Sequence, residues 1–289
     1  MKTLLLDVGG TFIKCSDGRE IPIRSDGSRE EISSSFAEAV GAFCNEDSCV
    51  NDAETASGNR ERDCEIAVAI PGPFDYERGI FLMKHKFSAV YGMSFREVAG
   101  VPSCVRLLFT HDVNVMLAGE MFYGNGRGYS RVALVALGTG LGFAMSIDGR
   151  ILKKATGSPL VSIFGLPYRD GILEDYASKR GFLGTFKALG GQGAATVKDI
   201  AEFAGGGDKA ALETFRSIGS TIARTISPIL KEYGIECLLF GGQISRSFRF
   251  LEPALREGLS GVDSLVDISQ VSDFDNATFN GLRALLRQE

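Results

Sequence analysis

The sequence predicts an α/β protein, and three observations predict it. Two apolar runs, Lys2 to Val8 and Val132 to Leu137, each lead into a glycine-rich turn and a short returning apolar segment. After each of these hairpins, helical and strand periodicities alternate. The length, 289 residues, suits about two domains or one large one. The two halves share this plan without any strong repeat of residue identity.

Taken in order, Lys2 to Val8 reads as a strand, Gly9-Gly10 as its bend, and Phe12 to Cys15 as the returning strand, with Asp17-Gly18 as a second turn signal. Ile32, Phe36, Val40 and Phe43 recur at helical spacing and predict an amphipathic helix. Residues 45–63 are polar and unpatterned and read as a surface loop. Glu65 to Ile70 is a strand of buried type, ended by Pro71-Gly72-Pro73. Val105 to Phe109 is another, followed by Thr110-His111-Asp112 and a helical pattern through Met116 and Met121. In the second half, Val132 to Leu137 pairs with Phe143 to Ile147, and Asp148-Gly149 signals a further hairpin. Asp208 is placed to cap a long helix that buries Ala211, Phe215, Ile218, Ile222, Ile226 and Ile229, with a kink expected at Pro228. Cys237 to Phe240 is a buried strand entering Gly241-Gly242, and Leu282, Leu285 and Leu286 share one face of a last helix.

Composition narrows the function. Apolar residues make up 44% and charged residues 23% of the chain, ordinary globular proportions that argue against disorder. The net charge is −5 with no long basic block, which argues against nucleic acid or a membrane surface as a partner. An anionic small molecule remains open, because backbone N–H groups bind one without a basic protein. The longest uncharged apolar stretch, Val132 to Ile147, is broken by glycines and falls short of the roughly 20 residues a spanning helix needs. Leu4, Leu5 and Leu6 meet Asp7 too soon for a signal peptide, so a cytoplasmic protein is expected. The cysteines at 15, 44, 49, 64, 104 and 237 form no Cys-x-x-Cys pair, and only His85 and His111 add imidazole. Reduced thiols and no zinc site are expected.

Three motifs carry chemistry. Asp7-Val8-Gly9-Gly10-Thr11 follows a strand directly, and glycine lets the backbone turn tightly and approach a ligand. Successive N–H groups in such a turn form an anion-binding concavity. A carboxylate beside phosphates makes sense when a hard cation lies between them, and Mg²⁺ takes one or two carboxylates plus phosphate oxygens. Lys14, on the returning strand, offers the phosphates a point charge. Gly138-Thr139-Gly140-Leu141-Gly142 repeats the logic between two apolar strands; a plain hairpin turn is the alternative for either motif alone. Neither the dinucleotide fingerprint nor the Gly-x-x-x-x-Gly-Lys-Ser/Thr phosphate loop is present. Asp112, between a strand and a helix, suits a group that accepts the proton of an attacking hydroxyl, and equally a helix N-cap; the roles do not exclude each other.

Together these residues resemble the ROK family of sugar kinases. Asp7 to Lys14 looks like its first phosphate motif, Ile70-Pro71-Gly72-Pro73 with Gly79 like its sugar loop, and Asp112-Val113-Asn114 with Gly119-Glu120 like its catalytic segment. Leu137 to Gly142 looks like its second phosphate motif and Gly241-Gly242-Gln243-Ile244-Ser245 like its adenosine-side motif. The resemblance implies an actin/hexokinase-like, ribonuclease H-like α/β fold of two domains with a cleft between them: residues 1–112 with about 275–289, and 113–274. It implies Asp112 as general base and Asp7 as the residue holding Mg²⁺ through water. Gly9, Gly10, Thr11, Gly138, Thr139 and Gly140 would cradle the phosphates of ATP, and Gly241 and Gly242 would approach the adenosine. A sugar-like acceptor near Gly72 is implied too, and a homodimer by analogy. The motifs begin at residue 7, so the helix-turn-helix of the family's repressors is not expected ahead of them.

Several positions depart from the family pattern. His111 replaces the usual Asn before the catalytic Asp, as either a replacement ligand or a spacer against the strand end. Lys86-Phe87 most nearly matches the Asn-Leu pair that touches the sugar. Gly157 to Val161 lacks the Glu and His of the Glu-x-Gly-His segment, and residues 162–173 lack the zinc-binding cysteines. Leu173-Glu174 with Tyr176-Ala177-Ser178 matches the family's segment after that cluster, which leaves Glu174 to meet a sugar hydroxyl. The expected activity is ATP- and Mg²⁺-dependent phosphorylation of a sugar or sugar derivative. A non-catalytic nucleotide- or sugar-binding regulator on the same fold is the alternative, and polyphosphate stays open as a donor.

Overall fold

Side chains alternate along strand β1 (Lys2–Val8), and this alternation decides what each residue does. Leu4, Leu6 and Val8 enter one hydrophobic cluster and Leu5 enters another, so Asp7 shares the face of Leu5. The computed structural model describes residues 2–44 and 64–287, and the loop expected over 45–63 lies outside them. The chain forms two compact units: Met1–Val115 with Lys153–Ser158 and Thr278–Glu289, and Met116–Leu152 with Pro159–Ala277.

In the first unit β1 is followed by β2 (Phe12–Cys15), β3 (Glu20–Pro22), helix α1 (Arg29–Cys44) and β4 (Cys64–Ile70). A short hairpin, β5 (Phe74–Asp75) and β6 (Ile80–Phe81), then α2 (Phe95–Ala99), β7 (Arg106–His111) and α3 (Asp112–Tyr123) come next. The sheet order is β3-β2-β1-β4-β7, antiparallel among the first three strands and parallel from β1 to β7. On one face Ile32, Phe36 and Val40 of α1 pack among Leu4, Leu6, Ile66 and Val68. Phe36 sits at the centre of an aromatic group, 5.1 Å from Phe95 and 5.9 Å from both Phe81 and Phe87 between ring centroids. On the other face the strands present Leu5, Ala67 and Ala69 beneath Val115 and Leu282. The alanines leave room for helices to lie close.

The second unit repeats the arrangement. Its strands β8 (Arg131–Leu137), β9 (Leu141–Ile147) and β10 (Arg150–Ile151) form an antiparallel set. A short hairpin, β11 (Pro167–Tyr168) and β12 (Gly171–Ile172), leads to helices α4 (Leu173–Ala177), α5 (Lys179–Ala188), α6 (Val197–Gly205) and α7 (Lys209–Tyr233). Then come β13 (Cys237–Gly241), α8 (Phe248–Leu259) and β14 (Asp267–Gln270). The order β10-β9-β8-β13-β14 is antiparallel, then parallel, as in the first sheet. Asp148 and Gly149 both take positive φ, 50° and 77°, as the tight hairpin turn requires. Asp208 caps α7 by accepting from the Ala211 N–H at 2.8 Å. The chain returns to the first unit through α9 (Ala277–Leu286).

Some expectations shift. The strand placed at Val105 to Phe109 runs Arg106–His111, because Thr110 and His111 continue the parallel ladder against Ala69 and Ile70. Leu230 rather than Ile229 completes the buried stripe of α7, and the helix continues past Pro228 to Tyr233. Cys15, Cys44 and Cys237 are free thiols, but Cys64 is disulfide-bonded, against the expectation of reduced thiols throughout. Among the described residues no helix is long and apolar enough to cross a membrane.

The crossing of α9 over α3 depends on one small residue. A Cβ on Gly281 would collide with the Val115 carbonyl oxygen and its Cγ2. The collision is with backbone, which cannot rotate away. Gly281→Ala is therefore expected to destabilise the protein by about 1–3 kcal/mol, read as a lower midpoint in urea unfolding. An unchanged midpoint would mean that the two helices are free to separate.

Candidate active site

Parallel pairing gathers the first group of residues. Asp7 pairs with Ala69, Ala69 with Thr110, and Ile70 with His111. The acid ending β1, the Pro71-Gly72 bend after β4 and the His111-Asp112 step after β7 therefore leave the sheet at its carboxyl edge. Ligands of open α/β sheets bind at that edge. Gly72 faces His111: a Cβ there would lie 3.4 Å from the imidazole and 3.3 Å from the Tyr76 hydroxyl.

The first glycine turn is closed by the Gly9 N–H donating to the Phe12 carbonyl at 2.9 Å. The Gly10 carbonyl accepts from the Ser25 N–H at 3.3 Å, and that of Thr11 from the Ile23 N–H at 2.9 Å. Among the described residues the N–H groups of Gly10 and Thr11 donate to no acceptor. Two adjacent free amides in a turn are the donor set an anion needs. Lys14, opposite Asp7 in the β1–β2 register, is half-exposed, with its Nζ 3.9 Å from Glu20.

The two carboxylates of this edge differ in environment. About half of the Asp112 side chain is open to solvent, 49% by exposure. The packed strand ends around it favour the neutral acid, but the charge and hydrogen bond of His111, the Val113 N–H and the Lys86 ammonium outweigh them. Asp112 is held below the usual carboxylate range as a result. The His111 Nδ1 lies 2.7 Å from the Asp112 Oδ1, and the Val113 N–H donates to the same oxygen at 2.7 Å. Asp7 goes the other way. Burial, then the charge of Asp112, push it up to about 6 against the weaker opposing pull of Lys14 and the Thr278 hydrogen bond.

These residues fit a hard cation. A carboxylate that has lost water and faces a second carboxylate is stabilised by positive charge beside it. No cluster of three His, Cys, Asp or Glu side chains suited to a metal occurs among the described residues. Mg²⁺ does not need one, since it keeps several waters and takes phosphate oxygens.

In the second unit, Gly138-Thr139-Gly140 joins β8 to β9. The turn is braced from three sides. Gly138 N–H donates to the Gly140 carbonyl at 3.0 Å, Lys179 N–H to the Gly138 carbonyl at 2.9 Å, and Leu141 N–H to the Glu174 Oε2 at 3.0 Å. The N–H groups of Thr139 and Gly140 donate to no acceptor among the described residues. Glu174 was expected on a substrate hydroxyl. Here one of its oxygens holds the turn and the other takes Arg180 at 3.2 Å. Gly242 has φ 80°, and a Cβ on it would collide with the Leu137 backbone, so only glycine brings this turn against the end of β8. Gly241 ends β13 against Met116. Glu120 is buried and accepts from the Ser272 N–H and hydroxyl and from the Asn125 N–H, a bracing role.

Sequence reading missed several residues of the first group. Ser25 supports the glycine turn, Tyr76 packs its ring at a tilt against His111 with centroids 5.7 Å apart, Thr278 bonds Asp7 and Lys86 faces Asp112. The only available signal was Lys86, standing where a neutral residue was expected.

Asp7 also bears on stability. Its carboxyl binds its proton more tightly folded than unfolded, so its charge opposes folding fully above pH 6, and the effect declines as the pH falls from 6 and is gone by about pH 4. Without ligands, Asp7→Asn is expected to raise stability by on the order of 2 kcal/mol at pH 8, with no gain at pH 4. Thermal melts of both proteins across that range check it; a gain that persists at pH 4 would remove the charge as its cause.

A sequence model of the ROK family matches residues 6–159 and 167–286. A glucokinase of Thermotoga maritima is 25% identical over 214 residues, covering 66% of this chain and 68% of that enzyme. The DNA-binding transcriptional repressor Mlc of Escherichia coli is 25% identical over 218 residues, 69% of this chain and 53% of the repressor. A ROK family glucokinase from Streptomyces griseus, solved in complex with glucose and AMPPNP, superposes with a TM-score of 0.74 at 20% identity, covering 99% of each chain. The fold is thus the actin/hexokinase-like α/β fold of the ROK kinases. With the family pattern running through well over half of its length, the protein belongs to the ROK family.

Proposed function

We propose that this protein transfers the γ-phosphoryl group of ATP to a hydroxyl of a sugar or sugar derivative. The observation that carries the reading is the pair Asp7 and Asp112, whose surroundings push their pKa values apart in opposite directions. Pairs of this kind mark division of labour in a site. The glucokinase relative and the nucleotide-bound glucokinase structure support the same reaction class.

Asp112, ionised at neutral pH, accepts the proton of the acceptor hydroxyl. The acceptor oxygen forms its bond to the γ-phosphorus while the bond from that phosphorus to the bridging oxygen breaks, and ADP leaves with the electron pair. The free amides of Gly10, Thr11, Thr139 and Gly140 hold phosphate oxygens, and Gly241 and Gly242 admit the adenosine. Mg²⁺, held by Asp7 through water, would supply positive charge to the phosphates. Gly72 and His111 line the acceptor side. With Glu174 engaged at the second turn, the acceptor is held by fewer carboxylates than the family pattern implies.

A second reading, a regulator that binds without turnover, is favoured by the match to Mlc and by the departures at Lys86 and His111. One experiment separates the two. Coupled ATP consumption is measured over hexoses, amino sugars and their N-acyl forms. Turnover with one of them is expected, and Asp112→Asn is expected to lower kcat by about 10²–10⁴-fold with ATP binding retained by calorimetry. ATP binding without turnover on any acceptor would favour the regulator. Full activity in Asp112→Asn would remove that residue as the base.

A further inference from the structure

Lys86 stands against the first glycine turn. Its Cε and Nζ both lie 3.8 Å from the position a Cβ on Gly10 would take. The side chain is half-buried, whereas Lys84 and His85 before it are exposed. Among the described residues its ammonium makes no hydrogen bond and no ion pair within 4.0 Å, although its charge reaches Asp112. Removing water from an ammonium without giving it a partner is unfavourable, so the backbone must impose the position.

The anchor is Phe87. Its ring is fully buried beside Phe36 and Phe81, and its backbone is left-handed at φ 52°. Its N–H donates to the Ser25 carbonyl, and the Ser25 N–H donates in turn to the Gly10 carbonyl. A left-handed Phe is strained, and the burial of its ring offsets the strain. Lys86 is thereby tied to the turn whose Gly10 and Thr11 amides are free. A fixed cation without a counter-ion, set between an N–H cradle and a carboxylate, is arranged to receive an anion.

We propose that Lys86 is a catalytic residue whose ammonium contacts the transferred phosphoryl group. The proposal rests on the kinase reading above and adds the group that neutralises the charge in flight. Asp112 must face an oxygen that still bears its proton, so the anion beside it is the phosphoryl group rather than the acceptor. As the proton passes to Asp112, the acceptor oxygen bonds to phosphorus and the bridging oxygen leaves with ADP. The three non-bridging oxygens keep their charge throughout, and Lys86 lies where it meets them.

The test uses the full chain with Lys86→Met, Lys86→Gln and Lys86→Arg. Calorimetry with Mg²⁺ compares ATP with ADP, which lacks the terminal phosphoryl group. Lys86→Met is expected to lose about tenfold in ATP affinity and less than about twofold in ADP affinity. Its kcat is expected to fall about 10²-fold with the acceptor KM within about threefold, and Lys86→Arg to recover part of the loss. Melting temperatures should stay level, since the ammonium has no partner to lose; Lys86→Gln serves if Lys86→Met does not fold. Equal losses for ATP and ADP, or no loss for either, would overturn the proposal. So would a raised acceptor KM at unchanged kcat, which would make Lys86 a ligand of an anionic acceptor. If the unsubstituted protein turns over no acceptor, the kinase reading fails, while the ATP–ADP difference still reports whether Lys86 meets the terminal phosphoryl group.

Discussion

Three parallel strands, β1, β4 and β7, finish at one edge of the first sheet, and their ladder fixes what stands there to within a residue. A slip of one residue in any pair would turn Asp7 to the opposite face, or carry His111 away from the Pro71-Gly72 bend. The apolar alternation forbids such a slip, because it would put Leu5 or Ile66 on the wrong side of the sheet. The burial of the core and the placement of the chemistry are therefore enforced by the same hydrogen bonds.

That enforcement sets the electrostatics. Asp7 and Asp112 are brought near each other by strands whose positions the core dictates. His111 and the Val113 N–H resolve the conflict in favour of charge on Asp112, and Asp7 bears the remainder. Replacement of a neutral amide by His111 then has a reason independent of any sugar: the imidazole orients the neighbouring carboxylate. In the second unit Glu174 is used similarly, holding the Leu141 amide so that the glycine turn keeps its shape.

Local features were legible in the sequence. The two glycine hairpins, the buried strand Cys64–Ile70, the stripe of α7 and its Asp208 cap are all written in short-range periodicity or in one residue and its near neighbours. What failed to show is long-range. The extension of β7 to His111 depends on a partner strand about 40 residues earlier, and Glu174 reaches an amide 33 residues away. Lys86 acquires meaning only beside Gly10, from which it is separated, among the described residues, by an entire helix and five strands. The disulfide at Cys64 is likewise a matter of spatial proximity, which spacing alone does not reveal.

The last helix gives the fold a temporal character. Residues Thr278 onward belong with the N-terminal unit, where Leu282 covers Leu5, Ala67 and Ala69. A ribosome delivers Leu5 long before Leu282. At roughly 5–20 residues per second, the first sheet waits on the order of ten seconds or longer with one apolar face only partly covered, by Val115. Through that interval the nascent chain exposes apolar surface that favours aggregation. A premature stop before Thr278 would leave it so permanently, with the second unit able to finish and the first not.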